Sequence, residues 1–290
     1  MLAILNKELR TYFCSGIAYI FMTILLFFGG IFTFLYNVYS KSGDYASTLS
    51  SLSFIFVFIM PILTMKTIAD ETKTRTDQLL LTSPQKISSI VFGKFLAALI
   101  LFGITLLITF LYPLLLTSFG KVAIGETISA YIGVFLLGAC FIAVGIFISA
   151  LSDSQVVAAV GTLGVTFVLW ILKIAIQGIP SSLNTSTSGI IFTLILIIAI
   201  SLIIYINTKN YYFGGGVFLL GAIILLITAI KDKAIFEGFI GKFFGWISVV
   251  QRNDTFTTGI ISVNSIIYFI SFTFIFLFLT ARTLDKKRWS

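Results

Sequence analysis

The sequence predicts an all-α integral membrane protein, a polytopic helical bundle that forms a single transmembrane domain over residues 1–290. Apolar residues make up 58% of the chain, charged residues only 10%, and the mean hydropathy is +1.10. A soluble domain usually carries about a quarter charged residues, so this chain cannot cover a water-exposed surface. Its apolar residues also come in runs of roughly 20, the length that a helix needs to cross the hydrocarbon core.

Eight such runs follow one another along the chain, and each is a candidate transmembrane helix. The second run is short unless it continues towards Ala69, and the fourth and fifth are separated only by a tight turn at 152–155. A count of six is the alternative if the sixth and seventh runs lie on the surface or re-enter the membrane. The predicted spans are Ile17–Tyr36, Leu52–Met65, Phe95–Phe119, Ile128–Leu151, Val156–Ile176, Gly189–Ile206, Phe213–Ile230 and Ile261–Ala281.

Two further segments are amphipathic without a long enough apolar run to cross. In residues 1–15, apolar side chains from Leu2 to Phe13 recur at helical spacing, which predicts an interfacial helix ahead of the first span. In residues 231–258, phenylalanines line one face and Trp246 is placed well for a headgroup boundary. We expect this second segment to be an amphipathic, extracytoplasmic element.

The distribution of Lys and Arg predicts that both termini are cytoplasmic, because cytoplasmic segments of membrane proteins are enriched in these residues. In that orientation 12 of the 19 cations lie inside, among them the C-terminal group from Arg282 to Arg288. The stretch from Lys231 to Asp254 argues against it, since it places four cations outside. The net charge of +8 therefore indicates topology and contact with lipid, not nucleic-acid binding.

Catalytic and cofactor chemistry is not indicated. The sequence has no histidine and no P-loop of the kind that holds ATP, and Cys14 and Cys140 are expected to be buried thiols. The spans also lack the acidic residues that ion-coupled carriers use at membrane depth. We therefore expect no enzyme activity, no metal or cofactor bound by this chain, and an energy source in a partner. A lipid-modifying membrane enzyme is disfavoured; an ATPase-independent carrier or channel is the alternative.

The polar stretch 66–94 separates two long apolar runs and carries charges of both signs. A helix is predicted to continue from the second span to about Leu81, because Pro84 is the first helix breaker. The simplest interpretation is a solvated loop that obeys the positive-inside rule. A charged helical hairpin with a leucine patch also suits docking against a soluble protein.

The run ADETKTRTDQLLLTSPQKISSIVFGKFLAAL resembles the signature of ABC-2 type permeases, most closely their gliding-motility (Gld-like) branch. Arg75 stands where that family usually has glycine, Asp77 where it has leucine, and Gln78 where it has glutamate. The N-terminal helix and the last span with its basic tail are also similar to the family, and the similarity is weakest over 179–236. The matching positions are Asp70, Glu71, Lys73, Thr76, Leu79, Leu80, Leu81, Thr82, Pro84, Gly93 and Lys94.

The resemblance implies the permease subunit of an ATP-driven transporter in the plasma membrane, and we expect an exporter. Two permease copies, or two homologues, would form the pathway, each on a separate cytoplasmic ABC ATPase that binds the ATP. An accessory extracytoplasmic protein would be a further partner, and the cargo is not identified. The hairpin 66–94 would couple to the ATPase through Asp70, Glu71, Lys73, Arg75, Thr76, Leu79, Leu80, Leu81 and Pro84, while Gly138, Gly145, Gly161 and Gly164 would offer close helix packing or dimer contacts.

Overall fold

The computed structural model describes residues 1–75, 85–118, 120–180, 185–208 and 211–289, and their regular secondary structure is helical throughout. The prediction of an all-α chain is thus confirmed for these residues. A π-helical turn, Phe34–Tyr39, follows the second helix, and a 3-10 turn occupies Lys233–Phe236. The α-helices are α1 Leu2–Cys14, α2 Ile17–Thr33, α3 Tyr45–Thr64, α4 Ala69–Lys73, α5 Ile87–Thr109, α6 Leu111–Thr117, α7 Ile124–Leu151, α8 Gln155–Gln177, α9 Ser186–Thr208, α10 Tyr211–Lys231, α11 Phe239–Ile247, α12 Val249–Thr257 and α13 Val263–Trp289.

Seven helical stretches of the described residues are long and apolar enough to cross a membrane. The seventh predicted span coincides with a shorter apolar helix, Gly215–Ala229, so the count of eight stays a prediction. The seven stretches are Ile17–Tyr39, Tyr45–Lys73, Ile87–Thr117, Ile124–Leu151, Gln155–Gln177, Ser186–Ile206 and Val263–Arg288.

The second span begins earlier than the predicted Leu52. Helix α3 starts at Tyr45 because Asp44 is its N-cap: the Asp44 carboxylate accepts a hydrogen bond from the Ser47 backbone N–H at 3.2 Å. Because the residues between Tyr45 and Ser51 include several polar ones, the sequence did not indicate that they belong to a span. They are nevertheless helical, so the candidate span extends from Tyr45 to Lys73.

The third span also differs from its predicted bounds. Helix α5 begins at Ile87, eight residues before the predicted Phe95, and the helix is interrupted at Phe110 before α6. Pro113 lies in the first turn of α6, where a missing N–H removes no intrahelical hydrogen bond. The earlier start brings Lys94 into the helix.

Contacts between helices divide the chain into two compact units, Met1–Trp170 with Val249–Ser290, and Ile171–Ser248. The larger unit is built around α7, which packs against α3, α5, α12 and α13. The Phe102 ring lies edge-on to the Phe56 ring with centroids 5.3 Å apart, and it fills the space beside Gly138, where any added Cβ would overlap it. Close packing of this kind holds membrane helices together, because lipid is as apolar as their side chains.

The smaller unit, Ile171–Ser248, contains α9, α10 and α11. Helices α9 and α10 pack against each other, and the Phe192 ring of α9 contacts the α11 rings of Phe243 and Phe244 with centroids 5.5 Å and 5.7 Å apart. This unit includes most of the region where the family resemblance was weakest. Helices α9 and α11 thus meet through aromatic side chains, and α9 and α10 also pack at Gly221, where an added Cβ would lie 2.8 Å from Ile197.

The segment predicted as one amphipathic element, 231–258, is divided at Ser248. Helix α11 belongs to the smaller unit, whereas α12 belongs to the larger one and is packed against α7 and α3. Val250, Asn253 and Phe256 of α12 are each at most 2% exposed. One face of α12, formed by Val249, Val250, Asn253 and Phe256, therefore belongs to the core, which the mixed polar and apolar sequence did not indicate.

Two buried asparagines of the larger unit differ in how their amides are satisfied. Asn37 donates to the Ser42 and Asp44 carbonyls at 3.1 Å and 3.0 Å and accepts from the Thr48 hydroxyl at 2.7 Å. Asn253 is 1% exposed, and its amide nitrogen and oxygen have no hydrogen-bond partner in the described part of the chain.

We predict opposite consequences when these two amides are removed. Asn37→Ala should lower the free energy of unfolding by about 1–3 kcal/mol, because it leaves buried polar partners unsatisfied. Asn253→Ala should change it by less than about 1 kcal/mol or raise it, since no hydrogen bond is lost. Thermal unfolding of the two purified variants checks this, and equal losses would contradict the difference.

Candidate functional site

Four charged side chains from three separate helices meet at one end of the larger unit, and we call them the charge cluster. They are Lys7 and Glu8 of α1, Glu71 of α4 and Lys94 of α5. The Lys94 ammonium lies 2.9 Å from a carboxylate oxygen of Glu8 and 2.9 Å from one of Glu71. Lys7 lies 3.1 Å from the other Glu71 oxygen and 3.8 Å from Glu8. The two cations and two anions balance, so the cluster is neutral.

Lys94 is the centre of the cluster and is only 1% exposed. Besides the two carboxylates, its ammonium donates to the backbone carbonyl of Thr67 at 2.7 Å. An ammonium has three N–H donors, and these three oxygens use all of them. A buried lysine is tolerated only when its charge is compensated in this way, because an isolated charge is very costly to remove from water.

Gly93 explains why α1 can approach the cluster so closely. A Cβ added at Gly93 would lie 3.2 Å from a methyl of Ile4 and 3.4 Å from the Met1 carbonyl. Distances this short leave little room for any side chain at the position. The Gly93–Lys94 pair thus combines a flat contact surface for α1 with the charge that holds Glu8.

Electrostatics favours the charged form of Lys7. Partial burial lowers the pKa of Lys7, but the Glu71 and Glu8 carboxylates raise it by charge attraction and hydrogen bonding, and the net pKa lies above its usual value. Lys7 therefore stays protonated throughout the physiological pH range. The ion pairs between α1 and α4 persist over the same range.

Tyr12 provides a second link between α1 and the end of α3. Its hydroxyl donates to the Leu63 carbonyl at 3.3 Å and lies 3.4 Å from the Thr67 hydroxyl. Burial raises the pKa of Tyr12, so the phenol stays neutral and keeps its proton for this hydrogen bond. Helix α1 is thus tied to the hairpin by charges and by a neutral hydrogen bond.

Residues 66–75 form the base of the hairpin, and their opposite side is held by α7 and α8. The Ser149 hydroxyl accepts from the backbone N–H groups of Ile68 and Ala69 at 3.1 Å and 3.0 Å and lies 3.3 Å from the Met65 carbonyl. Ile68, the N-cap residue of α4, has no side-chain oxygen, so Ser149 supplies the cap from another helix. The Gln155 amide donates to the Asp70 carboxylate.

The C-terminal basic residues reach the same end of the unit. Lys287 of α13 lies 3.4 Å from the Asp153 carboxylate, in the turn between α7 and α8. The Asp153 side chain is 82% exposed, so this ion pair adds little stability. It does place the basic tail beside the turn that carries Gln155.

Only part of the predicted coupling set falls within the described residues. Glu71 is turned towards Lys7 and Lys94, Asp70 is half-buried beside Gln155, and Lys73 and Arg75 are exposed. The other predicted residues lie outside the described part of the chain: Thr76, Leu79, Leu80, Leu81 and Pro84.

Arg75 adopts a left-handed conformation, with φ +57°, just after the end of α4. Its backbone N–H bonds to the Thr72 carbonyl at 3.2 Å, which closes the last turn of the helix. Left-handed backbone favours glycine because a Cβ is strained there. This is the position where the sequence departs from the glycine of the resembled signature.

The predicted packing glycines contact other helices of the same chain. Gly138 faces Phe102, Gly145 faces Thr64, and a Cβ at Gly161 would lie 2.9 Å from Ile148, whereas a Cβ at Gly164 would have no atom of another helix within 4 Å in the described part of the chain. Only Gly164 therefore presents its small surface outward from the described chain. A dimer contact at any of them stays a prediction.

Sequence reasoning assigned no role in holding the hairpin base to Glu8, Lys94, Ser149 and Gln155, although Lys94 was among the positions that match the resembled signature. Lys94 carried a usable signal, since a lysine beside a long apolar run requires a counter-charge. The Lys7–Glu8 pair on the apolar α1 offered that counter-charge. Ser149 gave no signal, because a serine in an apolar helix usually bonds within its own helix.

We predict that Lys94→Met lowers the free energy of unfolding by about 3–5 kcal/mol, because two buried carboxylates lose their shared cation. Adding Glu71→Gln should recover part of that loss. Lys86→Met, an exposed change at the start of the same helix, should have little effect. Thermal unfolding of the purified variants measures all three; an unimproved double variant would show that charge compensation is not the cause.

For Arg75→Gly we predict a gain of about 1 kcal/mol in the free energy of unfolding, since glycine adopts the left-handed backbone without strain. Arg75→Ala is the matched control, because it removes the guanidinium and keeps the Cβ. Denaturant or thermal unfolding distinguishes them. An equal gain in both would assign the effect to the charge and not to the backbone.

Comparison with known protein families gives one match that covers nearly the whole chain. A family model described as ABC-2 family transporter protein matches residues 2–287. The match includes α1, the hairpin base and α13, and therefore all four members of the charge cluster. A search of curated proteins finds no match to this sequence.

Proposed function

The chain belongs to the ABC-2 family of transporter proteins, and we propose that it works as one half of an ATP-driven pathway powered by a separate cytoplasmic ATPase. Membership of this family identifies a multi-pass membrane subunit, the permease of an ABC transporter. The sequence contains no P-loop, which supports placing ATP on a partner subunit. We propose export as the direction and the plasma membrane, with both termini cytoplasmic, as the location.

One observation carries the proposal: the base of the hairpin is bonded to four other helices. The charge cluster joins it to α1 and α5, Ser149 joins it to α7, and Gln155 joins it to α8. A push on the hairpin would therefore act on the third, fourth and fifth spans together. Discrete, well-packed links of this kind can carry a conformational change between distant sites.

The exposure of the hairpin residues suggests a division of roles. Glu71 is held within the chain by Lys7 and Lys94, so we assign to it the anchoring of the hairpin. Lys73 and Arg75 are exposed on the far side of α4, and we assign to them the contact with acidic groups of the ATPase. The hairpin residues from Thr76 to Pro84 would extend that contact.

We further propose that two copies of this chain, or this chain and a homologue, form the pathway. Helix α8 supports this, since Val157, Val160 and Val168 are each at least 58% exposed and a Cβ at Gly164 would meet no other helix within 4 Å in the described residues. Membrane helices associate through small and branched residues that allow close approach. An accessory extracytoplasmic protein stays an additional proposed partner.

The test is a charge reversal outside the cluster. Lys73→Glu should weaken association with the ATPase by about tenfold or more, because an exposed cation facing an acidic partner becomes repulsive. Lys286→Glu makes the same charge change on α13 and should leave association unaffected. Co-purification and coupled ATP hydrolysis in reconstituted membranes measure the effect.

Normal membrane levels of both variants exclude a folding defect. If Lys73→Glu retained wild-type ATPase binding and transport, the hairpin would be only a connecting loop. If no ATPase associated with the wild-type chain at all, the ATP-driven proposal itself would fail.

A further inference from the structure

A cleft of about 230 Å³ lies between α1 and the base of the hairpin, and we call it the interfacial cleft. One wall is formed by Thr11, Tyr12 and Ser15 of α1, and the other by Lys66, Asp70 and Thr74. Lys7, Glu8 and Glu71 also line it and pair with one another and with Lys94. The charge cluster therefore forms a neutral side of the cleft. Lys66 and Asp70 contribute two further charges to its lining.

Lys66 and Asp70 line the same cleft four residues apart, yet they do not form an ion pair with each other in the described residues. Lys66 lies in the turn that links α3 to α4, whereas Asp70 lies within α4. Asp70 uses one carboxylate oxygen to accept from Gln155. Two separated charges that share a cleft are arranged for a ligand that carries both signs.

The α1 wall favours a ligand cation that donates hydrogen bonds. The Thr11 hydroxyl donates to the Lys7 carbonyl at 2.9 Å, and the Ser15 hydroxyl donates to the Tyr12 carbonyl at 3.3 Å. Each hydroxyl already donates its single proton to a carbonyl, so its oxygen can only accept further hydrogen bonds. With the Asp70 carboxylate, the cleft offers several acceptors for an N–H donor and one ammonium, Lys66, for an anion.

The position of the cleft indicates where such a ligand comes from. Helix α3 begins at Tyr45, and about 20 residues cross the hydrocarbon core, so the crossing is complete near Met65. Lys66 and Asp70 then stand at the level of the lipid headgroups. The cleft also adjoins Ile17, the first residue of α2, at the point where α1 leads into the first span.

We propose that the interfacial cleft binds the headgroup of a phosphatidylethanolamine lipid. Lys66 contacts the phosphate, while Asp70 and the Thr11 and Ser15 hydroxyl oxygens accept hydrogen bonds from the ammonium. Phosphatidylcholine lacks N–H donors, and phosphatidylglycerol lacks the cation. The proposal rests on the proposed topology only for the choice of the inner leaflet, and it is independent of any ATPase.

The experiment titrates the purified full-length chain with dioleoyl-phosphatidylethanolamine, dioleoyl-phosphatidylcholine and dioleoyl-phosphatidylglycerol, and counts bound lipid by native mass spectrometry. We expect phosphatidylethanolamine to bind roughly tenfold tighter than the other two, as loss of one charge-assisted contact would give. Lys66→Gln and Asp70→Asn should each remove roughly that preference. Asn at position 70 keeps an acceptor oxygen for Gln155, so the hairpin base is preserved.

Arg10→Gln is the matched control, because Arg10 is an exposed cation of α1 outside the cleft lining. It should leave the lipid preference unchanged. Equal binding of phosphatidylglycerol and phosphatidylethanolamine would overturn the proposal in favour of a basic surface patch. Binding of free phosphoethanolamine as tight as that of the lipid would identify a soluble ligand instead. Equal binding of all three lipids by wild type and variants would leave no specific site. None of these outcomes depends on ATPase association.

Discussion

The Lys94 ammonium, 1% exposed and bonded to Glu8, Glu71 and the Thr67 carbonyl, is the interaction on which the end of the larger unit that contains α1 and α4 depends. A buried ammonium requires nearby anions, so it fixes the positions of α1 and α4 relative to α5. The polar hairpin that leaves α3 is thereby held against the helices that cross the membrane. Without this constraint α4, a helix of five residues, would be too short to hold its place.

The second constraint acts through neutral hydrogen bonds. Ser149 caps α4 from the end of α7, and α7 is also the helix around which the larger unit is built. The same α7 packs against α12 at Gly133, where an added Cβ would overlap Asn253 and Phe256. One helix thus connects the hairpin base with the buried helix α12. In the ATP-driven permease that we propose, α7 would link the proposed coupling element to the segment that precedes the last span.

The charged residues of the hairpin base also fall into three groups, which the sequence had not distinguished. The charges of 66–94 suggested a single surface for a soluble partner, but the geometry divides them. Glu71 faces inward to the cluster, Asp70 and Lys66 face the interfacial cleft, and Lys73 and Arg75 are exposed. The proposed anchoring, lipid contact and docking therefore fall on different residues of one hairpin, and substitutions can test each of them separately.

The sequence by itself determined the class of protein, the approximate helices and the hairpin, because these follow from composition and from local apolar runs. It also marked Arg75 as a departure from glycine, although only the backbone, with φ +57°, gave the reason. The tertiary structure alone decided that Asn253 is buried and that Ser149 caps a helix 80 residues away in sequence. Caps, ion pairs and burial between distant segments depend on which helices pack together, and no local pattern of residues contains that information.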